Sequence, residues 1–181
     1  MPLGAARFGL LGGVADLGKL ELIETQTISS GSTLDFTDIK QDIYNVHFLT
    51  GNDIESTFSN TAISIRLSND NGSTFKSSNY QYALQYMGVG GLFGESKSTS
   101  AGEMRFMSDS GNENKGGYIY LYNLGDSTKY SFGTGQGMEH SYAQFSSSVY
   151  TVAETINAIR ILTPNTNAWT GTVSLYGIRY S

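Results

Sequence analysis

The chain of 181 residues contains no cysteine and only two prolines, and 15% of its residues are charged. The absence of cysteine excludes disulfides and thiolate metal sites. Because charged residues fall well below the usual share of about a quarter, solubility must rest on Ser, Thr, Asn, Gly and Tyr. The 22 glycines indicate many tight turns with few rigid breaks, a combination that suits an all-β sandwich or barrel.

The charge distribution disfavours several classes of partner. The net charge is −5, and the eleven Lys and Arg residues are scattered singly. No basic stripe is present to neutralise phosphates, so we expect no nucleic-acid binding. No polybasic segment or long apolar run predicts membrane insertion. Two histidines without cysteine cannot form a usual zinc site, and we predict neither a metal nor a cofactor.

The clearest pattern is the stretch Tyr118-Ile-Tyr-Leu-Tyr122, in which three tyrosines alternate with two aliphatic residues. This two-residue period is typical of a half-buried strand, and these residue types favour strands. The same alternation recurs over residues 62–68, 80–86, 156–162 and 172–180. The whole chain therefore reads as about ten strands.

Two glycine-rich stretches interrupt these strands. Gly88–Gly102 is predicted to be a long loop and Gly133–Gly137 a flexible corner. Residues 152–159 are the only candidate for a helical turn. The spacing of the strands predicts antiparallel Greek-key packing. We therefore predict an all-β fold, an antiparallel jelly-roll-like β-sandwich over residues 19–181, preceded by an extended N-terminal arm over residues 1–18.

A turn motif lies at Ser68-Asn-Asp-Asn-Gly-Ser-Thr-Phe75. It resembles the Asp-box of sialidases, with Phe75 in place of the usual Trp. A single copy predicts a structural turn in which Asp70 and Asn71 bond the backbone and Gly72 supplies a positive φ. Calcium binding by oxygen ligands is the weaker alternative. Its candidate ligands lie in two loops: Asn69, Asp70 and Asn71, and Asp109, Asn112 and Glu113.

The candidate catalytic side chains form no recognisable constellation. His47 is predicted to be a solvated strand residue, and the neighbours of His140 point to opposite faces of a strand. Paired carboxylates could hydrolyse a glycoside, and the candidates are Glu95, Glu103 and Glu139. Because they sit in or beside predicted loops, we expect them to be exposed and to aid solubility. The sequence therefore predicts a protein that is not an enzyme.

Two rows of tyrosines stand out among the twelve in the chain. On the predicted strands, each row occupies a single face. The rows are Tyr80, Tyr82 and Tyr86, and Tyr118, Tyr120 and Tyr122. Since tyrosine covers a large area while its hydroxyl stays hydrated, such rows can form a core edge, a subunit interface or a surface that stacks on sugars.

Several stretches resemble small β-sandwich virion structural proteins of marine tailed bacteriophages. The start of the chain, Gly4–Gly13, is similar to their short N-terminal signature, and Gly171–Arg179 is similar to their closing strand. Three internal stretches, Leu34–Thr37, Ser68–Phe75 and Ile156–Ile161, fit the same pattern. The resemblance runs from end to end and implies a structural or adhesive component of a virion.

From this resemblance we expect a non-enzymatic virion protein that forms a homotrimer. The first expectation is a capsid decoration or cement protein that contacts other virion proteins. Its assembly anchor would be the apolar arm with Arg7, Phe8, Leu10 and Leu11, since each buried apolar side chain contributes about 1.5–3 kcal/mol. The alternative is a tail-fibre or other receptor-binding module whose tyrosines and polar loops bind a host surface glycan.

Overall fold

The computed structural model describes residues 19–56, 62–107 and 114–179. These residues form twelve β-strands and no helix, so the described part of the chain contains no helix able to span a membrane. The predicted N-terminal arm, residues 1–18, lies outside the described residues. The strands are β1 (Leu20–Gly31), β2 (Thr33–Phe36), β3 (Val46–Ser56), β4 (Ile63–Ser68), β5 (Tyr80–Gly88), β6 (Phe93–Ala101), β7 (Met104–Met107), β8 (Lys115–Tyr122), β9 (Ser131–Met138), β10 (Tyr142–Tyr150), β11 (Ala158–Leu162) and β12 (Trp169–Ile178).

The strands form two sheets of unequal width. The large sheet has eight strands in the order β1-β12-β3-β8-β9-β10-β5-β6, and the small sheet has four in the order β2-β11-β4-β7. Neighbouring strands are antiparallel throughout both sheets. The prediction of an all-β antiparallel sandwich is confirmed, and the jelly-roll connectivity stays a prediction.

The core lies between the two sheets and is filled by alternate residues of their strands. In β12, for example, Val173 and Leu175 are fully buried, whereas Tyr176 is only half-buried. Since burial of each large apolar side chain contributes about 1.5–3 kcal/mol, this alternation fixes which face of each strand points inward. The largest fully buried side chains include Trp169, Phe36 and Phe106.

The inner face of β9 carries few side-chain atoms, because three of its inward positions are Gly133, Gly135 and Gly137, and the remaining one is Ser131. A Cβ atom at Gly133 would lie 3.4 Å from the sulfur of Met104. A Cβ atom at Gly137 would lie 3.3 Å from the Cα of Met107. Both methionines belong to β7, so the glycines let the edge of the small sheet pack directly on the large sheet.

Polar contacts also hold β7 of the small sheet against β10 of the large sheet. The backbone N–H of Arg105 donates to Ser148 Oγ at 3.3 Å, and Ser146 Oγ donates to the carbonyl of Arg105 at 3.4 Å. The guanidinium carbon of Arg105 lies 5.1 Å from the centre of the Tyr82 ring, which gives a cation–π contact. The small side chains of Ser146 and Ser148 thus allow β7 to approach β10 closely, as the glycines allow it to approach β9.

Three local predictions were wrong. The predicted flexible corner Gly133–Gly137 lies within β9, and the predicted loop Gly88–Gly102 contains β6. No helical turn forms over residues 152–159, because their backbone groups bond to other elements. The N–H of Ile156 donates to Leu124 at 2.7 Å, and that of Asn157 donates to Ser68 at 2.9 Å. Tertiary partners therefore replace the local hydrogen bonds of a helix.

The substitution Gly135→Ala tests the close packing of β9. The added Cβ would overlap the carbonyl oxygen of Tyr118 on β8, which is backbone and cannot rotate away. We expect a loss of about 1–3 kcal/mol in the free energy of unfolding, measured by urea denaturation. The control is Gly90→Ala, where a Cβ meets no atom within 4 Å. Equal stability of the two variants would contradict this account of β9.

Candidate functional site

The outer face of the large sheet carries a cluster of aromatic side chains. Because Ile119 and Leu121 of β8 point into the core, the intervening tyrosines point away from it. Phe48 of β3 lies 4.6 Å from Tyr120 and 5.8 Å from Tyr118, measured between ring centres. These distances fall within the range of favourable aromatic pairs, so the rings support one another on this face.

A groove runs from this cluster across β9, β10 and β5 to β6. Strand register places its lining in two cross-strand rows on the outer face. One row is Tyr120, Thr134, Ser147, Ala83 and Lys97, and the other is Tyr118, Gln136, Phe145, Gln85 and Glu95. We call this feature the outer groove.

The outer groove has a volume of about 620 Å³ and is open to solvent along its length. Its floor is low where the small side chains of Thr134, Ser147 and Ala83 lie side by side. The tyrosines of β8 form one end, and the charged residues of β6 form the other. Five strands spaced about 4.8 Å apart give a length of about 19 Å, which suits an extended ligand rather than a single small molecule.

The outer groove combines apolar platforms with hydrogen-bonding groups. Phe145 is 47% exposed and Tyr118 is 37% exposed, so both rings present area to a ligand. The hydroxyl of Tyr118 donates to Gln136 Oε1 at 3.4 Å, which orients that amide. With Gln85 opposite Phe145 across β10 and β5, amides lie on both sides of the exposed ring.

The charges in the outer groove neutralise each other. Lys97 Nζ lies 2.7 Å from Glu95 Oε1, and both side chains are largely exposed. The hydrogen bond and the charge of Lys97 lower the pKa of the Glu95 carboxyl below its ordinary value. Glu95 therefore stays ionised near neutral pH, and the groove offers no net charge to a ligand.

The structure divides the two predicted tyrosine rows between opposite faces. Tyr118 and Tyr120 line the outer groove and Tyr122 continues their row, whereas the row of β5 points inward. Tyr80 is fully buried, accepts a hydrogen bond from the N–H of Leu67 at 2.9 Å and belongs to the core. Of the alternatives left open for this row, Tyr80 therefore belongs to the core rather than to an interface or a sugar-stacking surface.

The remaining tyrosines of that row, Tyr82 and Tyr86, are half-buried on the inner face. Tyr82 lies against Arg105, and its hydroxyl is 3.3 Å from Ser96 Oγ. The ring of Tyr86 lies 6.2 Å from that of Tyr142. These contacts place both residues at the edge of the core, away from the outer groove.

Sequence reasoning missed the central residues of the outer groove. Thr134 and Gln136 lie in the stretch that was predicted to be a flexible corner. Their alternation with the glycines of β9 was the available signal, because a two-residue period of small and larger residues indicates a strand. Gln85 lies on the predicted strand 80–86, but only the register between β10 and β5 brings it beside Phe145.

The Asp-box-like motif forms a tight turn, as predicted. Asp70 accepts hydrogen bonds from Ser68 Oγ at 2.6 Å, from Thr74 Oγ1 at 2.6 Å and from the N–H of Thr74 at 2.9 Å. These bonds, above all that from Ser68, lower the pKa of Asp70 to about 2. Gly72 has a φ of 81°. The carboxylate oxygens of Asp70 thus serve the turn itself.

The residue that replaces Trp in this motif anchors the turn on the small sheet. The guanidinium carbon of Arg160 lies 4.0 Å from the centre of the Phe75 ring. Arg160 also donates two hydrogen bonds, of 2.7 and 2.6 Å, to the carboxylate of Asp35. The motif therefore joins a bidentate ion pair and a cation–π contact, which is a structural role.

The two histidines lie in different surroundings. His47 is fully buried in β3, so the prediction of a solvated residue is wrong. Its Nε2–H donates to the carbonyl of Ile39 at 2.7 Å, while Nδ1 has no hydrogen-bond partner among the described residues. Burial lowers the pKa of His47 below 6.5. His140 follows β9 and lies outside the outer groove.

The three candidate glycosidase carboxylates each lie beside a different basic side chain. Glu95 pairs with Lys97 on β6, as described above. Glu103 Oε2 lies 3.1 Å from Arg66 Nη2, and Glu139 Oε2 lies 3.9 Å from Lys115 Nζ. The side chains of Glu103 and Glu139 are only 15% and 4% exposed, so the prediction of exposure is wrong for these two.

Among the residues that the structure describes, no group of three His, Asp or Glu side chains could hold a metal ion. The second candidate calcium loop, with Asp109, Asn112 and Glu113, lies outside the described residues. The predicted anchor residues Arg7, Phe8, Leu10 and Leu11 also lie outside them. No protein-family model matches the chain, and no curated protein matches it.

Buried His47 predicts a pH dependence of stability. Its pKa is lowered in the folded protein, whereas the unfolded chain titrates near 6.5. The unfolded state therefore binds more protons below that pH. We expect the full contribution of His47 to the free energy of unfolding above about pH 6.5. Below that pH the free energy of unfolding should fall as the pH drops toward the pKa of His47 in the folded protein.

Urea denaturation between pH 8 and pH 5 measures this effect. The substitution His47→Gln should remove its contribution to the pH slope and cost about 0.5–1.5 kcal/mol at neutral pH through the lost hydrogen bond to Ile39. His140→Gln is the matched control and should retain the slope. An unchanged slope in the His47 variant would show that another group is responsible.

Proposed function

We propose that this chain is a non-enzymatic, saccharide-binding β-sandwich of a virion. The observation that carries the proposal is the outer groove, with Phe145 and Tyr118 exposed among the amides of Gln85 and Gln136. Sugar rings present apolar C–H faces and a rim of hydroxyls. A solvent-open groove with aromatic platforms and neutral donors and acceptors matches both parts of such a ligand.

The chemistry of the groove favours a neutral saccharide. Among the described residues that line the groove, the one cation and the one anion, Lys97 and Glu95, are paired with each other. The remaining polar groups are amides, hydroxyls and backbone. An anionic ligand would have to compete with Glu95 for Lys97, whereas a neutral chain can bind without breaking this pair.

The same geometry supports a binding role rather than hydrolysis. Glycoside hydrolysis uses two carboxyl groups that flank the scissile bond, one of which must hold a proton. Glu95 is the only carboxylate among the described residues that line the outer groove. Its pKa is lowered by Lys97, so it is ionised at the pH where an acid catalyst would have to be protonated.

The virion location is proposed from the resemblance described above. A β-sandwich that displays an open groove suits a tail-fibre or other receptor-binding module that contacts a host surface glycan. The capsid decoration role stays a prediction, because its anchor residues lie outside the described residues. The number of copies per particle separates these roles, since decoration requires hundreds of copies and a fibre requires a handful.

Substitutions in the outer groove test the proposed function. Affinity electrophoresis in gels containing mannan, xylan, dextran or hydroxyethyl cellulose, and an array of bacterial surface polysaccharides, should identify a bound saccharide. We expect Phe145→Ala and Tyr118→Ala each to weaken binding about tenfold, because each removes a stacking platform worth about 1.4 kcal/mol.

The matched control is Tyr130→Ala. Tyr130 is 47% exposed, as Phe145 is, but does not line the outer groove. This variant should bind as tightly as the unchanged protein, and circular dichroism should show that all variants keep their fold. Failure to bind every saccharide tested, or equal losses in the control and groove variants, would reject the proposal.

Deletion of residues 1–13 tests attachment to the particle. If the apolar arm docks on a virion protein, the truncated protein should remain folded, bind saccharide as before and fail to join the particle. Incorporation is measured by quantitative mass spectrometry of purified particles made with the truncated gene. Full incorporation would disprove the anchor, and loss of folding would show that the arm belongs to the core.

A further inference from the structure

The two edges of the large sheet differ in charge. At one edge, β1 carries Glu21 and Glu24 and no basic residue. At the other edge, β6 reads Phe93-Gly-Glu-Ser-Lys-Ser-Thr-Ser-Ala101 and no described strand pairs with its outer side. An edge strand exposes unpaired backbone donors and acceptors, and natural proteins block such edges or use them for pairing. The sequence of β6 decides between these outcomes.

We propose that β6 pairs antiparallel with β6 of a second copy of this chain, about a two-fold axis at Ser96. In this register Glu95 lies opposite Lys97 of the second copy, and Lys97 lies opposite Glu95 of the second copy. Opposite charges at directly paired positions stabilise an antiparallel pair. The interface is self-complementary, as two-fold symmetry requires.

The charges also exclude the neighbouring registers. A two-fold axis at Glu95 would place two carboxylates opposite each other, and an axis at Lys97 would place two ammonium groups opposite each other. A single lysine on an edge strand commonly prevents pairing. In β6, Glu95 lies two positions from Lys97 on the same face. In the proposed register each lysine therefore meets a glutamate of the second copy instead of another lysine. The charged residues of β1, Glu21 and Glu24, are both acidic, so two copies of β1 could form no opposite-charge pair and the same pairing is disfavoured there.

The other positions of β6 are compatible with this register. Gly94 lies opposite Ser98 of the second copy, and Ser96 lies opposite its own counterpart, so small residues meet on the inner side. On the outer side Phe93, which is 74% exposed, lies opposite Thr99 of the second copy. Pairing therefore covers part of an exposed aromatic ring and creates no clash between large side chains.

The pairing has a consequence for the outer groove that rests on the proposed function. The two-fold axis is perpendicular to the sheet, so both outer faces point in the same direction. Each outer groove ends at β6, and the two grooves therefore meet across the new strand pair. The dimer would present one continuous groove of about 40 Å, estimated from the strand spacing, to a long saccharide chain.

Charge reversal provides the test, with sedimentation equilibrium as the measurement. The unchanged protein should be a concentration-dependent dimer that is weaker in high salt, because the charge pairs are exposed. Glu95→Lys alone and Lys97→Glu alone should each weaken dimerisation about tenfold or more, because each places like charges opposite one another. The double variant E95K/K97E should restore the dimer.

Mixing supplies a second and independent readout. Glu95→Lys and Lys97→Glu proteins, each of which dimerises weakly alone, should form a tighter one-to-one heterodimer when combined. Lys129→Glu is a control, since Lys129 is exposed and lies outside β6, and it should dimerise as the unchanged protein does. Circular dichroism of every variant shows whether the monomers are folded.

Three results would overturn the proposal. They are a monomer at the highest soluble concentration, a trimer, which is the oligomer that the resemblance leads us to expect, and a dimer that neither the double variant nor the mixture restores. Because these measurements use no saccharide, they can reject the strand pairing without bearing on the proposed saccharide binding. A dimer that binds none of the saccharides would leave the strand pairing standing and reject the saccharide role.

Discussion

The close approach of β7 to β9 and β10 is the constraint on which the rest of the structure depends. Three inward glycines of β9 and the inward Ser146 and Ser148 of β10 leave room for the backbone of β7. The edge of the small sheet can then lie directly on the large sheet, and Met104 and Met107 fill the space that side chains would occupy. The core is therefore close-packed here because atoms of β7 occupy the space that side chains on β9 and β10 would otherwise fill.

This inward arrangement also determines the outer face. Because glycines of β9 and Ser146 and Ser148 of β10 face the core, the alternating residues Thr134, Gln136 and Phe145 face solvent. The floor of the outer groove is thus the reverse side of the strands that admit β7. The aromatic cluster around Phe48 and Tyr120 gives the groove a rigid end, since each ring is held by its neighbours.

The charged residues of the described chain mostly work in pairs with structural roles. Arg160 and Asp35 fasten the small sheet, Glu103 and Arg66 lie beside β7, and Glu95 and Lys97 mark the edge of the large sheet. We propose that a molecule arranged in this way acts through its surfaces and edges. The saccharide binding proposed for the outer groove and the self-pairing proposed for β6 both follow from this arrangement.

The sequence by itself determined the class of the fold and many of its strands, because alternation in stretches such as Tyr118–Tyr122 and the turn around Asp70 are local signals. It did not determine β6, whose polar residues show no apolar alternation because an edge strand buries little on either face. It did not determine β9 either, since glycine reads as flexible until a second strand packs on it. Tertiary structure alone decided that His47, Tyr80 and Glu139 are buried and that Phe145 joins Gln85 in one groove. Burial and cross-strand register depend on residues far apart in the chain, and no local pattern encodes them.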